Sequence, residues 1–179
     1  MHDAIQELKT RASILHSRIE SGDPAALARL KKLAQFRKAT PDDLRAAQSG
    51  VQHGDCLNVI AAEWGFPSWP EAKRVLSGEA IAPANFGKLL CPDHFASHLT
   101  YWTKDHAEAS ARRAERNAYL LAYRTDYFVT ERSFIQALGL DPDDPDWQAI
   151  GFDWAKPASL EARTRLYAKL VGGLPREAV

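Results

Sequence analysis

The sequence predicts a mostly helical α+β protein, with an N-terminal bundle of about five short helices followed by a helix-flanked β-hairpin. Up to residue 77, apolar residues recur every three or four positions, which is the spacing of one helix face. In the second half, the β-prone runs YLLAY and YFVTE stand on either side of RTD, a pattern typical of two paired strands around residues 119–130. With 179 residues, 45% of them apolar, the chain is long enough to bury a core.

The first three predicted helices have clear boundaries. The first ends at Gly22, and five apolar residues lie on one face of it: Ile5, Leu8, Ala12, Leu15 and Ile19. The second, DPAALARLKKLAQFRKA, begins with Asp23 as N-cap and Pro24, whose missing N–H costs nothing in the first turn. Thr40 and Pro41 repeat this arrangement in TPDDLRAAQSG, which predicts a third helix.

Two more helices are predicted around a glycine turn. DCLNVIAAEWG ends at Gly65, which suits the left-handed conformation that closes a helix. Its inward residues are expected to be Leu57, Ile60, Ala61 and Trp64. Ser68 and Glu71 have the spacing of a capping box at the start of SWPEAKRVLSG. We interpret Trp64 and Trp69 as core residues that hold this corner together.

The glycine, alanine and proline residues of SGEAIAPANFG predict a linker at residues 78–87. It would separate a helical module at residues 1–77 from an α+β domain at residues 88–179. In that domain DHFASHLTYW, DHAEASARRAER, SFIQALG and SLEARTRLYAKLVGG are predicted to be helical. Two strands alone are marginal in water, so we expect helices to cover the hairpin.

The segment CLNVIAAEWGFPSWPEAKRVL resembles a bacterial helical module found ahead of ankyrin repeats or beside glyoxalase-like domains. The residues that match are Val59, Ile60, Ala61, Glu63, Gly65, Phe66, Ser68, Trp69, Pro70 and Lys73. SGDPAALARL also fits, so the resemblance covers roughly residues 8 to 77. It implies a helical fold for the first half and no particular activity.

The charge balance and the composition limit the kinds of partner that this protein can have. Basic and acidic residues balance at 23 each, so no chain-wide basic field attracts nucleic acid or an anionic membrane. No apolar run is long enough to span a bilayer, and the first twenty residues do not have the pattern of a secretory signal. Two cysteines are too few for a disulfide framework. These features predict a cytoplasmic protein that has no membrane partner.

A local basic run nevertheless makes nucleic acid a possible partner. The cations of RLKKLAQFRK and of the fifth predicted helix could bind phosphates without sequence preference: Arg29, Lys31, Lys32, Arg37, Lys38, Lys73 and Arg74. Ala61 and Phe66 satisfy the start of a helix-turn-helix, but the inward positions after the turn fall one residue late. The same cations are also typical of a solvated helix face.

Cys91, His94 and His98 form the one candidate metal site. Thiolate and imidazole are zinc ligands, and two histidines four residues apart lie on one face of a helix. In a continuous helix His106 would lie about 12 Å beyond His98, so it is excluded. The fourth ligand is left open among water, His53, Cys56 and a residue that the sequence does not identify. Alternatively, the two histidines lie beside an apolar stripe of the same helix formed by Phe95, Leu99 and Trp102.

Two further chemical interpretations, a calcium site and a catalytic site, have less support in the sequence than the zinc site. DPDDPDW contains four carboxylates, but it lacks the spacing of an EF-hand calcium loop, and Asp144 followed by Pro145 is better explained as a helix cap. No catalytic motif is present, although Arg124, Asp126 and Glu131 near the hairpin could meet in a pocket.

The sequence therefore predicts a small binding or interaction protein, without evident catalysis, that acts on a partner protein. Two alternatives stay open. One is a nucleic-acid-binding regulator that uses the helical N-terminal half. The other is a zinc-binding protein or hydrolase that uses Cys91, His94 and His98. No cofactor is predicted apart from the possible zinc ion, and whether any reaction is catalysed is left open.

Overall fold

The structure is a computed structural model that describes residues 3–91 and 100–173. The first half contains five α-helices: α1 (Ala4–Glu20), α2 (Pro24–Arg29), α3 (Pro41–Ala47), α4 (His53–Glu63) and α5 (Trp69–Leu76). The described part of the second half contains β1 (Tyr101–Thr103), α6 (His106–Arg116), β2 (Tyr119–Tyr123), β3 (Asp126–Thr130), α7 (Arg132–Ala137), α8 (Pro145–Ala149) and α9 (Leu160–Gly173). The predicted class, a mostly helical α+β fold, is confirmed.

Capping residues start the N-terminal helices where the sequence predicts. The Asp23 carboxylate accepts hydrogen bonds from the first backbone N–H groups of α2, and Thr40 forms a reciprocal capping box with Asp43. Ser68 caps α5, but the carboxylate of Glu71 pairs with Arg74 instead of returning to the backbone of Ser68. Only half of the predicted capping box therefore forms.

The second helix is shorter than predicted. Helix α2 ends at Arg29, and two 3-10 turns follow at Leu30–Lys32 and Ala34–Phe36. The apolar residues here are Leu27, Leu30, Leu33 and Phe36, which are buried or half-buried. They repeat every three residues, the period of a 3-10 helix, so a longer α-helix would rotate them away from the core.

One continuous core joins the two halves. Helix α1 packs against α4 in the first half and against α9 in the second. The buried residues of α1 are Ala4, Glu7, Leu8, Arg11, Ala12, Leu15 and Ile19. Residues 78–87 belong to this packing, because Phe86 is buried and the Ala82 N–H donates to the Ala155 carbonyl at 2.9 Å. The division into two domains stays a prediction, but the segment between them is not an exposed tether.

The three strands form an antiparallel sheet in the order β1-β3-β2. The predicted hairpin is confirmed, with Tyr123 paired to Asp126 across a two-residue turn. Tyr101 and Trp102 were predicted at the end of a helix, and this is wrong: they lie in β1, where Tyr101 pairs with Val129. Aromatic and β-branched residues favour a strand once a partner strand is present, and here the partner lies far away in sequence.

The segment that follows α8 is hydrogen-bonded to the outer edge of β2. The Leu120 N–H donates to the Phe152 carbonyl, and the Trp154 N–H donates to the Leu120 carbonyl, both at 2.9 Å. Helix α6 packs against all three strands. Within residues 3–91 and 100–173, no helix combines the length and the apolar character that crossing a membrane requires.

Candidate functional site

An apolar groove lies where the end of α5 meets the start of α9. Its volume is about 390 Å³. The residues that line it are Ser77, Gly78, Glu79, Leu160, Glu161, Thr164 and Arg165. One wall is thus the turn after α5 and the other is the first turns of α9, so the groove joins elements from the two halves of the chain.

The buried Arg163 side chain holds the loop wall of this groove in place. Its guanidinium donates to the Trp154 carbonyl at 2.7 Å, to the Gly78 carbonyl at 3.0 Å and to the Ala80 carbonyl. The residue has no exposed surface, and this burial lowers the pKa of Arg163. Three carbonyls satisfy most of its donors. The loop after α5 is therefore tied to α9 through one side chain.

Gly78 allows the two walls to approach closely. Its φ is +86°, a conformation that glycine adopts without a Cβ clash. A Cβ at this position would lie 2.5 Å from the Oγ1 atom of Thr164. Thr164 in turn donates to the Leu160 carbonyl at 2.9 Å. A larger residue at position 78 would therefore push the loop away from α9.

The groove is apolar inside and acidic at its rim. Leu160 is 45% exposed, and Ile81, three residues beyond Gly78, is 52% exposed. They are two of the four large apolar side chains that are exposed within the described part of the chain. Glu79 and Glu161 are exposed; Glu161 pairs with Arg165 at 3.0 Å, and the same guanidinium also binds Asp146 at 2.6 Å. The net character of the rim is negative.

The predicted nucleic-acid residues divide into two groups. Arg29 forms two hydrogen bonds of 2.7 Å with Glu63, and Arg74 pairs with Glu71 at 2.6 Å. These two cations are already paired with carboxylates. The others are exposed and form no ion pair within residues 3–91 and 100–173: Lys31, Lys32, Arg37, Lys38 and Lys73. The phosphate-binding hypothesis therefore rests on these five.

The corner between α4 and α5 is packed by aromatic residues, as the sequence predicts. Phe66 is buried, and Trp64 and Trp69 are half-buried against the core. The Trp69 N–H donates to the Asn58 side chain at 2.9 Å. The two tryptophans pack the corner, as predicted.

The predicted zinc site falls largely outside the described residues. Cys91 is half-buried, and His94 and His98 lie outside the described ranges. The proposed fourth ligands are engaged elsewhere: His53 contacts the Ser13 hydroxyl at 3.2 Å, and Cys56 is fully buried. Burial, with a contribution from Asp55, raises the pKa of the Cys56 thiol to about 11, so it is protonated at neutral pH.

The reason for excluding His106 from the zinc site is wrong. Residues 101–103 form β1, so no continuous helix leads up to His106 and the 12 Å estimate does not apply. His106 instead contacts Asp153, with 2.8 Å between Nε2 and Oδ2. Among the residues that the structure describes, no three histidine, cysteine, aspartate or glutamate side chains are grouped to hold a metal ion. The zinc site stays a prediction.

The acidic segment DPDDPDW works as a cap, as predicted. Asp144 accepts a hydrogen bond from the Asp146 N–H at the start of α8. Lys169 binds Asp144 and Asp146 at 2.5 and 2.8 Å, and Arg132 binds Asp143 at 2.6 Å. Side-chain cations therefore already pair with three of the four carboxylates.

The three residues considered for catalysis do not converge. Asp126 begins β3 and Glu131 follows its end, so the strand separates them by about 17 Å at about 3.3 Å per residue. Arg124 lies in the hairpin turn, with its guanidinium 5.5 Å from the centre of the Tyr123 ring.

Sequence reasoning missed the residues that build the groove. Arg163 stands in an amphipathic helix among charged neighbours, and nothing in the pattern separates it from a solvated arginine. Gly78 and Leu160 lie in predicted elements, but only their contact makes a groove. No family model, curated protein or solved structure matches the chain, and the resemblance of residues 8 to 77 to a bacterial helical module stays a prediction.

Proposed function

We propose that this protein is a binding protein that accepts a short apolar and basic segment of a partner protein in the groove between α5 and α9. The observation that carries the proposal is Leu160, a half-exposed leucine at the edge of an apolar groove. Proteins of this size expose single apolar side chains often, but such a side chain beside a concave apolar surface is typical of an interaction site.

The charge of the rim favours a basic segment. Glu79, together with Glu161, which shares its charge with Arg165, would attract lysine or arginine residues beside the apolar anchor. This complementarity raises the association rate and the specificity. Completing the burial of Leu160 would contribute about 1 kcal/mol, since this side chain is already half-covered. Because this gain is small against the cost of association, we expect weak binding.

Leu160→Asp is expected to weaken binding to such segments by about tenfold or more, about 1.4 kcal/mol. A pool of short random peptides displayed on phage is first selected for binding to the protein. The affinity of the enriched sequences is then measured by fluorescence anisotropy. We expect enrichment of leucine, isoleucine or phenylalanine next to lysine or arginine.

Ile14→Asp is the matched control, because Ile14 is 46% exposed on α1 and does not line the groove. It should leave the affinity unchanged. No enrichment, enrichment of acidic peptides, or equal losses in the two variants would contradict the proposal.

A nucleic-acid-binding regulator is a second candidate, supported by the exposure of Lys31, Lys32, Arg37 and Lys38. Neutralising Lys31, Lys32 and Lys38 to glutamine should weaken a salt-sensitive gel shift by about tenfold, because each phosphate contact releases counterions. The control neutralises three other exposed lysines, Lys9, Lys104 and Lys156. Absence of any gel shift at low salt would rule out nucleic-acid binding.

A further inference from the structure

A second concave surface lies between the start of β2, α7 and α8, away from the residues that line the groove. Its volume is about 270 Å³. The side chains that give it its chemistry are Asn117, Tyr119, Arg132, Asp143, Gln148 and Phe152. This volume is below that of a pocket for a drug-sized molecule, so only a small ligand would fit.

Two aromatic residues line the apolar side of this pocket: Phe152 is half-buried, and Tyr119 is only 4% exposed. The centres of the Tyr119 and Phe152 rings are 5.5 Å apart, and the ring planes are inclined at 74°. The Tyr119 hydroxyl donates to the Pro142 carbonyl at 2.8 Å, which fixes its ring in place. The wall is thus preformed, so little side-chain freedom is lost when a flat ligand packs against it.

Phe152 occupies an unusual backbone conformation. Its φ is +56°, in the left-handed region that bulky residues rarely adopt. The backbone is held there from two sides, since its N–H donates to the Trp147 carbonyl at 2.8 Å and its carbonyl accepts from Leu120 at 2.9 Å. Strain of this kind persists only where the surroundings determine it, and here it places the ring on the pocket wall.

Two primary amides supply the polar groups of the pocket. The side chains of Asn117 and Gln148 are exposed, and neither forms a hydrogen bond with any residue that the structure describes. Each amide can donate two hydrogen bonds and accept two more. Asn117 ends α6 with a φ of +48°, a conformation that asparagine tolerates better than most residues. Their donors and acceptors are therefore open to a ligand in the pocket.

The charged groups at the mouth are already neutralised in pairs. Arg132 donates to both oxygens of Asp143, at 2.8 and 2.6 Å, and Asp144 binds Lys169. Arg132 holds the pKa of Asp143 below its ordinary value, and burial raises the pKa of Tyr119. Neither group changes its charge near neutral pH, so these two groups do not act as acid or base there. A free phosphate or carboxylate would have to displace Asp143 from Arg132.

We propose that this pocket binds a single unpaired nucleobase, with its face on the Phe152 ring, which Tyr119 supports edge-on, and its edge hydrogen-bonded to Asn117 and Gln148. Asparagine and glutamine amides bond base edges in pairs, and aromatic side chains stack on base faces. The inference goes beyond the proposed peptide binding and does not depend on it. The base can come from a free nucleoside or from an unpaired position of a strand.

To test this, the full chain is titrated with adenosine, guanosine, cytidine and uridine, and separately with short single-stranded oligonucleotides of each base. Binding is measured from the changes in the NMR chemical shifts of the protein. Asn117→Gly keeps the left-handed backbone and removes the amide, and Gln148→Ala removes the second amide from an exposed position. Each is expected to weaken binding by about tenfold while the thermal unfolding midpoint stays the same. Gln136→Ala, an exposed glutamine of α7 outside the pocket, is the control and should change nothing.

Binding of a nucleoside that both variants weaken would support the proposal and identify the free base as the source. Binding of the oligonucleotide alone, weakened in the same way, would support it with a strand as the source. Absence of saturable binding at millimolar concentration, or binding that both amide variants leave unchanged, would overturn it.

Discussion

Replacing Arg163 with methionine is expected to lower the free energy of unfolding by about 3 kcal/mol. The methionine side chain fills similar space, but the carbonyls of Trp154, Gly78 and Ala80 lose their donor in a site with no solvent access. Leaving a buried acceptor without a partner costs about 1–3 kcal/mol.

Removing the buried charge offsets part of this loss. The guanidinium is desolvated, and its Nε has no hydrogen-bond partner among the residues that the structure describes. Three unsatisfied carbonyls outweigh the relief of one charge that was already well solvated by those carbonyls. The net effect is therefore destabilising.

Urea unfolding of the variant at neutral pH measures the change. Arg116→Met is the control, because Arg116 is exposed at the end of α6 and should cost no more than about 0.5 kcal/mol. The Arg163 variant should also lose peptide binding at the groove, since the loop after α5 is no longer tied to α9. Equal stabilities of the two variants would refute the role assigned to Arg163.

Asp146→Asn is expected to cost about 2 kcal/mol at neutral pH. Asp146 is 6% exposed and binds Arg165 at 2.6 Å and Lys169 at 2.8 Å, which ties α8 to α9. Asparagine keeps the shape but removes the charge that binds both cations, and Lys169 and Arg165 keep only their pairs with Asp144 and Glu161. The loss is smaller than for a fully buried pair, because Arg165 and Lys169 are partly exposed.

The cost of this substitution should depend on pH. The hydrogen bond from Arg165, followed by the contribution of Lys169, holds the pKa of Asp146 below its ordinary value of 3.8. A carboxyl whose pKa is lower in the folded state stabilises that state above the unfolded pKa and loses this effect as the pH falls through the folded pKa. The difference between the unmodified protein and Asp146→Asn should therefore close below about pH 4.

Urea unfolding at a series of pH values from neutral to acidic tests this. Asp143→Asn is the control, because its pair with Arg132 is exposed and should contribute much less. A difference that stays constant down to the lowest pH would show that the charge of Asp146 does not stabilise α8 against α9.

The features that were predicted correctly depend on residues close in sequence. Thr40 caps a helix whose third residue is Asp43, and Gly65 closes the turn that follows α4. The hairpin pairs Tyr123 with Asp126, only three residues apart. Each of these contacts joins residues only a few positions apart in the chain, so the local sequence pattern is enough to predict it.

The features that were predicted wrongly depend on distant partners. Tyr101 and Trp102 lie in a strand because β3 is beside them, and without that strand an aromatic run of this length is also compatible with a helix. The helix predicted after Pro24 shortens because its apolar residues repeat every three positions, a difference of 0.6 residues per turn from the α-helical repeat.

The sequence by itself determined the class of this protein, its helix caps, its hairpin and the absence of a chain-wide charge bias, because these depend on composition and short spacings. Only the tertiary structure decided which charged side chains are buried. Arg163 and Arg165 stand two residues apart in one helix, yet Arg163 is buried among carbonyls and Arg165 is partly exposed beside Asp146. Burial depends on what the fold places next to each face of a helix, and the groove and the pocket exist only because such contacts join residues far apart in the chain.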